Sequence, residues 1–327
     1  MQKSPLHKET NFRSQTIKKI QSLPPLTWVV VLIFVFFGLA APGFFNIKNF
    51  INVMRQGSFL WMLATVTTLV MISGGLDLSL GSIVTFSGVM MGLLLRSGMP
   101  TAYAALGGIL SGVFIGFING FVVSIIGIPA FIATLGTLNV FGGLSLVLTQ
   151  ASAIYIGDPM LVFIGAGAIA GIPVPVLIAI AVFVVSNILL HHTSFGRYLV
   201  ALGGNSAGAL LSGVKTKKNF WLVYVYAGMV AGIAGVVLAS RLQSADPIVG
   251  VGLEFDAIAA TILGGTLGKQ GKGSIATTII GVTMIIFLRN GLNIIGVPAI
   301  WQSAVVGSTL LIAIVFDVSI RRRETNR

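Results

Sequence analysis

The sequence contains no cysteine and very little charge. Of its 327 residues none is Cys, and only 9% are Asp, Glu, Lys or Arg. Without thiols the chain can form no disulfide framework, no Cys-ligated metal site and no thiol nucleophile. Soluble domains carry about 25% charged residues, because their surface must be hydrated. A chain this poor in charge cannot cover a globule of its size, so most of its surface must face hydrocarbon.

In place of charge, the chain has long apolar segments rich in glycine. Hydrophobic residues make up 55% of the chain, and 41 residues are glycine. The apolar runs are continuous rather than alternating, which favours membrane helices over a β-barrel. They cover residues 27–41, 58–74, 79–95, 102–126, 131–149, 173–190, 220–240, 254–267, 274–295 and 299–318. We therefore predict an all-α integral membrane protein with about ten transmembrane helices.

The basic residues indicate how these helices are oriented. The net charge is +12, but the Lys and Arg residues form short clusters between apolar blocks, which is typical of a membrane protein and not of nucleic-acid binding. With ten spans and a cytoplasmic N-terminus, 15 of the 20 Lys and Arg residues lie on the cytoplasmic side. We predict cytoplasmic tails at 1–26 and 319–327, around a transmembrane domain at 27–318. The first apolar run, near Trp28, is interpreted as a retained helix.

The chain also contains similar short segments in its two halves. Residues 75–78 read Gly-Leu-Asp-Leu and residues 252–255 read Gly-Leu-Glu-Phe. Asn119-Gly120 and Asn290-Gly291 are each followed by an Ile-Gly-Ile/Val-Pro stretch. Two halves of five spans, at about 27–149 and 173–318, would have opposite orientations and form an inverted repeat, as in many transporters. Chance similarity in a Gly- and Ile-rich chain is the alternative.

Several residues stand where lipid would exclude them or where a helix would break. A charge at the bilayer centre costs about 2.5–3.5 kcal/mol on insertion scales. The glycines and polar residues around Asp77 predict either a broken helix that lines a pathway or a simple helix cap. For Glu254 and Asp256, an acidic helix start is a simpler explanation than a pathway. For Asn119 and Asn290, the simpler explanation is a helix cap. The candidate pathway or broken-helix residues are Gly75, Asp77, Ser79, Asn119, Glu254, Asp256 and Asn290.

No enzyme chemistry is expected from these residues. Glu254 and Asp256 are two apart and point away from each other on a helix, so a paired general acid and base is not indicated. Neither acidic cluster has metal-ligand spacing, and no cofactor is predicted. Residues 264–274 look superficially like a phosphate-binding loop, but Gly271-Lys272 is followed by Gly273 and not by Ser or Thr. The chain is therefore predicted to carry no ATP site of its own.

A long polar segment at about 191–219 is predicted to lie in the cytoplasm as a coupling loop. Residues 206–211 can form a short helix, with Asn205 as its N-cap and Gly213 as its stop. A short helix with an apolar side suits docking into another protein's groove, although a solvated connector is the alternative.

These segments resemble the ribose-type monosaccharide permeases of bacterial ATP-binding-cassette importers. The similar blocks are 73–81 (Ser-Gly-Gly-Leu-Asp-Leu-Ser-Leu-Gly), 131–137 (Phe-Ile-Ala-Thr-Leu-Gly-Thr), 196–213 and 252–265. They occur in the family's order and cover roughly residues 27–317. Ala130 and Gln270 depart from the family's pattern.

The resemblance implies a ten-helix permease subunit of the bacterial inner membrane. Its partners would be a cytoplasmic ABC ATPase, an extracytoplasmic sugar-binding protein and a second permease copy or paralogue. The ATPase would couple to the permease through Gly196, Arg197, Gly203, Gly204, Asn205 and Gly213. The alternative is an ion-gradient-driven secondary transporter that uses Asp77 or Glu254 as a proton or cation site. The sequence does not identify the sugar.

Overall fold

The computed structural model describes residues 25–266, 271–298, 300–302, 304–309 and 311. Among these residues almost all regular structure is helical, which agrees with an all-α membrane protein. The chain divides into two units, one of residues 1–44 with 291–327 and one of residues 45–290. The predicted cytoplasmic tails, apart from Pro25 and Leu26, and half of the last predicted apolar segment, 299–318, lie outside the described residues.

The helices follow the apolar segments of the sequence closely. They are α1 Pro25–Ala40, α2 Ile47–Ile72, α3 Leu80–Arg96, α4 Thr101–Phe121, α5 Ala130–Thr149, α6 Pro159–Ala166, α7 Val174–His192, α8 Ser194–Leu211, α9 Thr216–Leu242, α10 Leu253–Leu263 and α11 Ile275–Ile294. A π-helical turn, Val122–Ile126, extends α4. Strands β1 Ile154–Tyr155 and β4 Ser244–Ala245 pair antiparallel, as do β2 Ala168–Ile169 and β3 Ile172–Pro173.

Within the described residues, five helical segments are long and apolar enough to cross a membrane. They are Thr101–Ile126, Ala130–Thr149, Val174–His192, Thr216–Leu242 and Ile275–Ile294. The short helix α6, inserted between α5 and α7, was not predicted. Helix α2 was predicted from residue 58 but begins at Ile47, because Asn46 caps it by accepting the N–H of Lys48. The polar residues of its first turns lower the mean hydropathy there, so a search for apolar segments does not find this part of the helix.

Glycines bring α4 and α9 into backbone contact in the larger unit. A methyl group placed on Gly112 would lie 2.5 Å from the Gly228 carbonyl oxygen and 2.8 Å from the Gly232 Cα. One turn further along α4, a methyl group on Gly116 would lie 3.0 Å from the Gly228 Cα. Apolar burial does not favour helix association in lipid, because lipid is itself apolar. The van der Waals contacts of closely packed backbones stabilise the helix pair instead.

Helices α2 and α9 each contact several neighbours in this unit. Helix α9 packs against α4, α3 and α2, and α2 packs against α7, α9 and α10. Helix α2 also meets α11 where the hydroxyls of Thr68 and Thr278 lie 2.8 Å apart. These two long helices hold the polar cluster described below in place.

In the smaller unit, aromatic rings pack beside α1. The rings of Phe37 and Phe44 stack with centroids 5.8 Å apart. Gly291 faces the Phe37 ring so closely that a side chain at this position would overlap it.

Candidate functional site

The chain is non-helical between the end of α2 at Ile72 and the start of α3 at Leu80. Gly74 has φ +86°, a conformation that L side chains rarely adopt, and it turns the chain out of α2. Gly75 follows in a tight space, because a methyl group there would lie 2.8 Å from the Tyr224 hydroxyl and 3.2 Å from the Phe220 ring. We call residues 73–79 the break.

Asp77 lies at the centre of the break and is 1% exposed. Its Oδ1 accepts the backbone N–H of Ser79 at 2.9 Å and the Ser79 hydroxyl at 2.6 Å. Its Oδ2 is buried and has no hydrogen-bond partner among the described residues. Ser79 is the N-cap residue of α3, but its side chain makes no capping bond to that helix. The carboxylate thus accepts both of its hydrogen bonds from within the break. It accepts no N–H from the first turn of α3.

Hydrogen bonds join the break to α4 and α5. Asn119 of α4 donates from Nδ2 to the Ser79 hydroxyl at 2.7 Å, and its Oδ1 accepts the hydroxyl of Thr137 at 2.8 Å. The hydroxyl of Thr134, also on α5, accepts the N–H of Leu78 at 3.1 Å. Asn119 and Thr134 are completely buried. The expectation that Asn119 is a helix cap was wrong, because it lies inside α4 and bonds to other elements.

Helix α9 adds a third connection, which sequence reasoning missed. The hydroxyl of Tyr224 donates to the carbonyl of Leu76 at 3.1 Å. We call Asp77, Ser79, Asn119, Thr134, Thr137 and Tyr224 the break network. Thr134 and Thr137 are three residues apart and therefore share one face of α5. That spacing, and their place in the block 131–137 that resembles the permease family, were the signals in the sequence that pointed to them.

The second acidic cluster makes different contacts. Glu254 is 3% exposed, and its Oε1 accepts the N–H of Gly252 at 3.2 Å. Its Oε2 lies against Gly81, the second residue of α3, so a side chain at Gly81 would overlap this carboxylate. Asp256 forms an ion pair with Arg289 of α11, with Arg289 Nη2 at 2.8 Å and 3.0 Å from the two carboxylate oxygens. As predicted, the two acids point away from each other.

The remaining asparagine also bridges helices. Asn290 of α11 and Asn49 of α2 exchange two side-chain hydrogen bonds, each 2.9 Å long. Asn290 is therefore not a cap, contrary to expectation. Among the described residues, no hydrogen bond joins Asp256 or Asn290 to the break network.

The predicted coupling segment forms helix α8, which is interrupted at Asn205. Asn205 has a non-helical conformation (φ −156°, ψ 93°), and its Oδ1 accepts the N–H of Gly208 at 2.9 Å. The predicted cap and short helix are thus confirmed, and Gly213 with φ +81° ends the helix as predicted. The helical turns before Asn205, from Ser194, were not predicted. Leu211 is 90% exposed, which leaves an apolar side chain in water at the end of α8.

Helix α8 lies directly on the break. Gly203 packs so closely on the carbonyl group of Ile72 that any side chain would overlap it. Gly196 is buried in the same way against the carbonyl of Leu190, which permits the sharp turn from α7 into α8. Arg197, Gly204 and Asn205 are exposed. Gly196 and Gly203 therefore set the position of α8 by close packing on backbone, and Arg197 is exposed and available to a partner.

A cleft of about 320 Å³ opens beside this contact. The hydroxyls of Ser73 and Ser124 line it together with Ser206 of α8 and Lys217 of α9. No group of three or more His, Asp or Glu side chains within the described residues could hold a metal ion. The site is thus a polar, hydroxyl-rich junction between α8 and the break that follows α2.

Comparison with known proteins gives one consistent family. The family described as "Branched-chain amino acid transport system / permease component" matches residues 49–314. The ribose import permease protein RbsC of Bacillus subtilis (strain 168) is 38% identical over 303 residues, covering 91% of this chain and 93% of that protein. RbsC of Escherichia coli (strain K12) is 37% identical over 281 residues, covering 85% and 88%.

A further relative is named for a different sugar. The D-allose transport system permease protein AlsC of Escherichia coli (strain K12) is 35% identical over 292 residues, covering 89% of this chain and 90% of that protein. No solved structure matches the chain.

Proposed function

Because the chain belongs to the family of branched-chain amino acid transport system permease components, we propose that it moves a monosaccharide through the bacterial inner membrane as the permease subunit of an ATP-binding-cassette importer. It is an integral membrane transport subunit and not an enzyme. The observation that carries the proposal is its similarity, over about nine-tenths of both chains, to permeases named for ribose and D-allose. Both sugars are aldoses, so an aldose is the proposed substrate class.

The energy would come from a separate ATPase that docks on α8. The surface of α8 supports this, because Leu210 and Leu211 are 60% and 90% exposed on a helix that otherwise packs on the break. Arg197 would pair with the ATPase, while Gly196, Gly203, Gly204, Asn205 and Gly213 would fix the shape of the docking helix. An extracytoplasmic sugar-binding protein would deliver the substrate from the other side.

The exposed face of α5 is the best candidate for the pathway and for the contact with a second permease copy or paralogue. It carries Gly136, Asn139 and Gly143, which are exposed although α5 is a membrane-spanning helix. Helix α5 also exposes large apolar side chains such as Ile132 and Val147, as α4 does with Leu110 and Phe114, so the polar groups and not the apolar ones distinguish α5. An exposed amide between two glycines suits protein or a hydrated pathway better than hydrocarbon.

Ten spans arranged as two inverted repeats, with both termini cytoplasmic, are the proposed architecture. The packing supports it, because α2, α3 and α4 would correspond to α9, α10 and α11. Helix α9 packs on α3 and α4, and α2 packs on α10. Helix α2 also packs on α11, through Asn49–Asn290 and Thr68–Thr278. An inverted repeat requires these reciprocal contacts.

The decisive experiment is to purify the tagged chain from its native membrane and reconstitute it with the proteins that accompany it. We expect a P-loop ATPase and a binding protein to copurify, and uptake of labelled ribose or allose to require ATP. Uptake driven by a proton or sodium gradient without ATP would instead establish the secondary transporter.

The role of α8 can be tested in the same assay. Arg197→Ala should lower the sugar imported per ATP hydrolysed about tenfold or more, with normal yield of the permease, because this exposed side chain has no structural role. Lys48→Ala, at an exposed basic residue in the first turn of α2 and outside the predicted coupling segment, is the matched control. Normal transport by Arg197→Ala would contradict its assignment to coupling.

A further inference from the structure

Helix α5 has two faces that meet different surroundings. Its buried face carries Thr134 and Thr137, which bond to the break and to Asn119. Gly136 and Val140 lie outside this buried face and are exposed. Because both faces belong to one helix, a displacement of the buried side chains also displaces the exposed ones.

The break has a second contact, on the side facing α8. The carbonyl of Ile72, where α2 ends, lies against Gly203 with no room for a side chain between them. Gly271 also packs on the backbone of α8, where a methyl group would lie 3.0 Å from the Gly204 nitrogen. Contacts between backbones cannot be relieved by a rotamer change, so displacement of α8 must displace the break.

From these two contacts we infer that Asn119 and Thr137 are positioning residues that transmit the position of α8 to α5. The inference rests on the proposed function, since it assumes that α8 moves during transport. The path runs from Gly203 to Ile72, through the break to Ser79, and then by hydrogen bonds to α5.

Each hydrogen bond on this path is short, and most of the atoms that form them are buried. The Asp77–Ser79, Ser79–Asn119 and Asn119–Thr137 side-chain bonds measure 2.6, 2.7 and 2.8 Å. Breaking either bond of Asn119 would leave a buried polar atom of its amide without a partner, which is costly in a dry interior. The break and α5 therefore move together, whereas the contact of α5 with α3 through Phe141 and Phe86, which is apolar, can slide.

The absence of cysteine from the chain makes the inference directly measurable. Val140→Cys places a single thiol on the exposed face of α5. Its rate of reaction with a membrane-impermeant maleimide is measured in the reconstituted complex, nucleotide-free and ATP-bound. We expect the rate to differ about threefold or more between the two states, because it follows the populations of two α5 positions.

Thr137→Val in this background removes one hydroxyl and keeps the shape of the side chain. The nucleotide-dependent difference in labelling should then decrease by about half or more, with a remainder carried by the direct Leu78–Thr134 bond, and Thr137→Ser should restore it. Thr149→Val is the matched control on the same helix, because the Thr149 hydroxyl bonds only to carbonyls of α5 itself. Ser79→Ala interrupts the same path at its other end and should have the same effect, which covers the case that Thr137→Val folds poorly.

The possible results separate the inference from the proposed function. If the Val140→Cys complex imports sugar with ATP but its labelling does not respond to nucleotide, α5 does not move and the inference is overturned. It is also overturned if Thr137→Val keeps the full response, or if Thr149→Val loses it equally. Failure of the Val140→Cys complex and of the unmodified complex to import sugar with ATP would count against the proposed function itself.

Discussion

Alanine at Gly112 should destabilise the protein through the contact between α4 and α9. The added methyl group would lie 2.5 Å from the Gly228 carbonyl oxygen, 2.8 Å from the Gly232 Cα and 3.0 Å from the Gly232 nitrogen. All three atoms belong to the backbone of α9, so no side-chain rotation can make room. The helices themselves must separate.

The size of the effect follows from two opposing contributions. Unstrained carbon contacts need about 3.5 Å or more, so α4 and α9 must move apart by about 0.5–1 Å. One extra methylene in a tight interface costs about 1–3 kcal/mol. The higher helix propensity of alanine offsets about 0.8–1 kcal/mol of this. Because the separation also weakens the neighbouring contact at Gly116, we expect a net loss of about 1–2 kcal/mol.

Thermal unfolding in detergent at a fixed heating rate measures this loss, as a decrease in apparent Tm of about 2–6 °C. Two other glycine-to-alanine variants are controls with the same propensity gain. At Gly107 the methyl group would meet only the flexible end of Leu94, and at Gly142 it would meet nothing within 4 Å. Both controls should be as stable as the parent protein or more stable. If Gly112→Ala unfolded at the same temperature as Gly142→Ala, backbone contact would not be what joins these helices.

Three further substitutions test Asp77 and the ion pair of Asp256. Asp77→Asn keeps an oxygen for the two Ser79 donors, so ATP-driven uptake should persist within about tenfold, whereas a carrier that binds its ion at Asp77 would lose uptake altogether. Asp256→Asn and Arg289→Gln should each lower the free energy of unfolding by about 1–3 kcal/mol, since each leaves the other partner of a half-buried ion pair unpaired. In a double-mutant cycle measured by thermal unfolding, the double variant should lose less than the sum of the two, and strict additivity would show that the pair does not interact.

Helix positions could be predicted because lipid leaves a strong signal along the sequence. Helix α9 was expected at 220–240 and spans Thr216–Leu242, and α5 was expected at 131–149 and spans Ala130–Thr149. The signal fails where a helix extends out of the apolar region, as α2 does at Lys48 and Arg55. It also fails for α6, which at eight residues is too short to span a membrane.

The polar site was only half predictable. Asp77 and Ser79 stood out because a charge beside glycines is costly in a membrane. Thr134 did not, because a threonine in a helix normally bonds to its own backbone, and Thr134 does so with the Ala130 carbonyl at 2.8 Å. The same hydroxyl also accepts the N–H of Leu78, using a lone pair that the first bond leaves free. Which threonine faces such a donor depends on how helices pack, and the sequence of one helix does not contain that information.

The two buried acids have a common structural role, and this bears on the energy source. Asp77 accepts the N–H of Ser79, two residues after it, and Glu254 accepts the N–H of Gly252, two residues before it. Asp77 and Glu254 occupy corresponding positions in the similar segments 75–78 and 252–255. Each fixes a non-helical segment at the start of a helix. Each carboxylate uses one oxygen for this backbone bond, while its second oxygen, Asp77 Oδ2 or Glu254 Oε2, is buried with no hydrogen-bond partner among the described residues. The uptake assay of Asp77→Asn therefore decides between a structural role and an ion site. In the proposed importer the conformational change would be driven from outside the membrane domain, and the backbone contact between Gly203 and Ile72 is the place where α8 would transmit it.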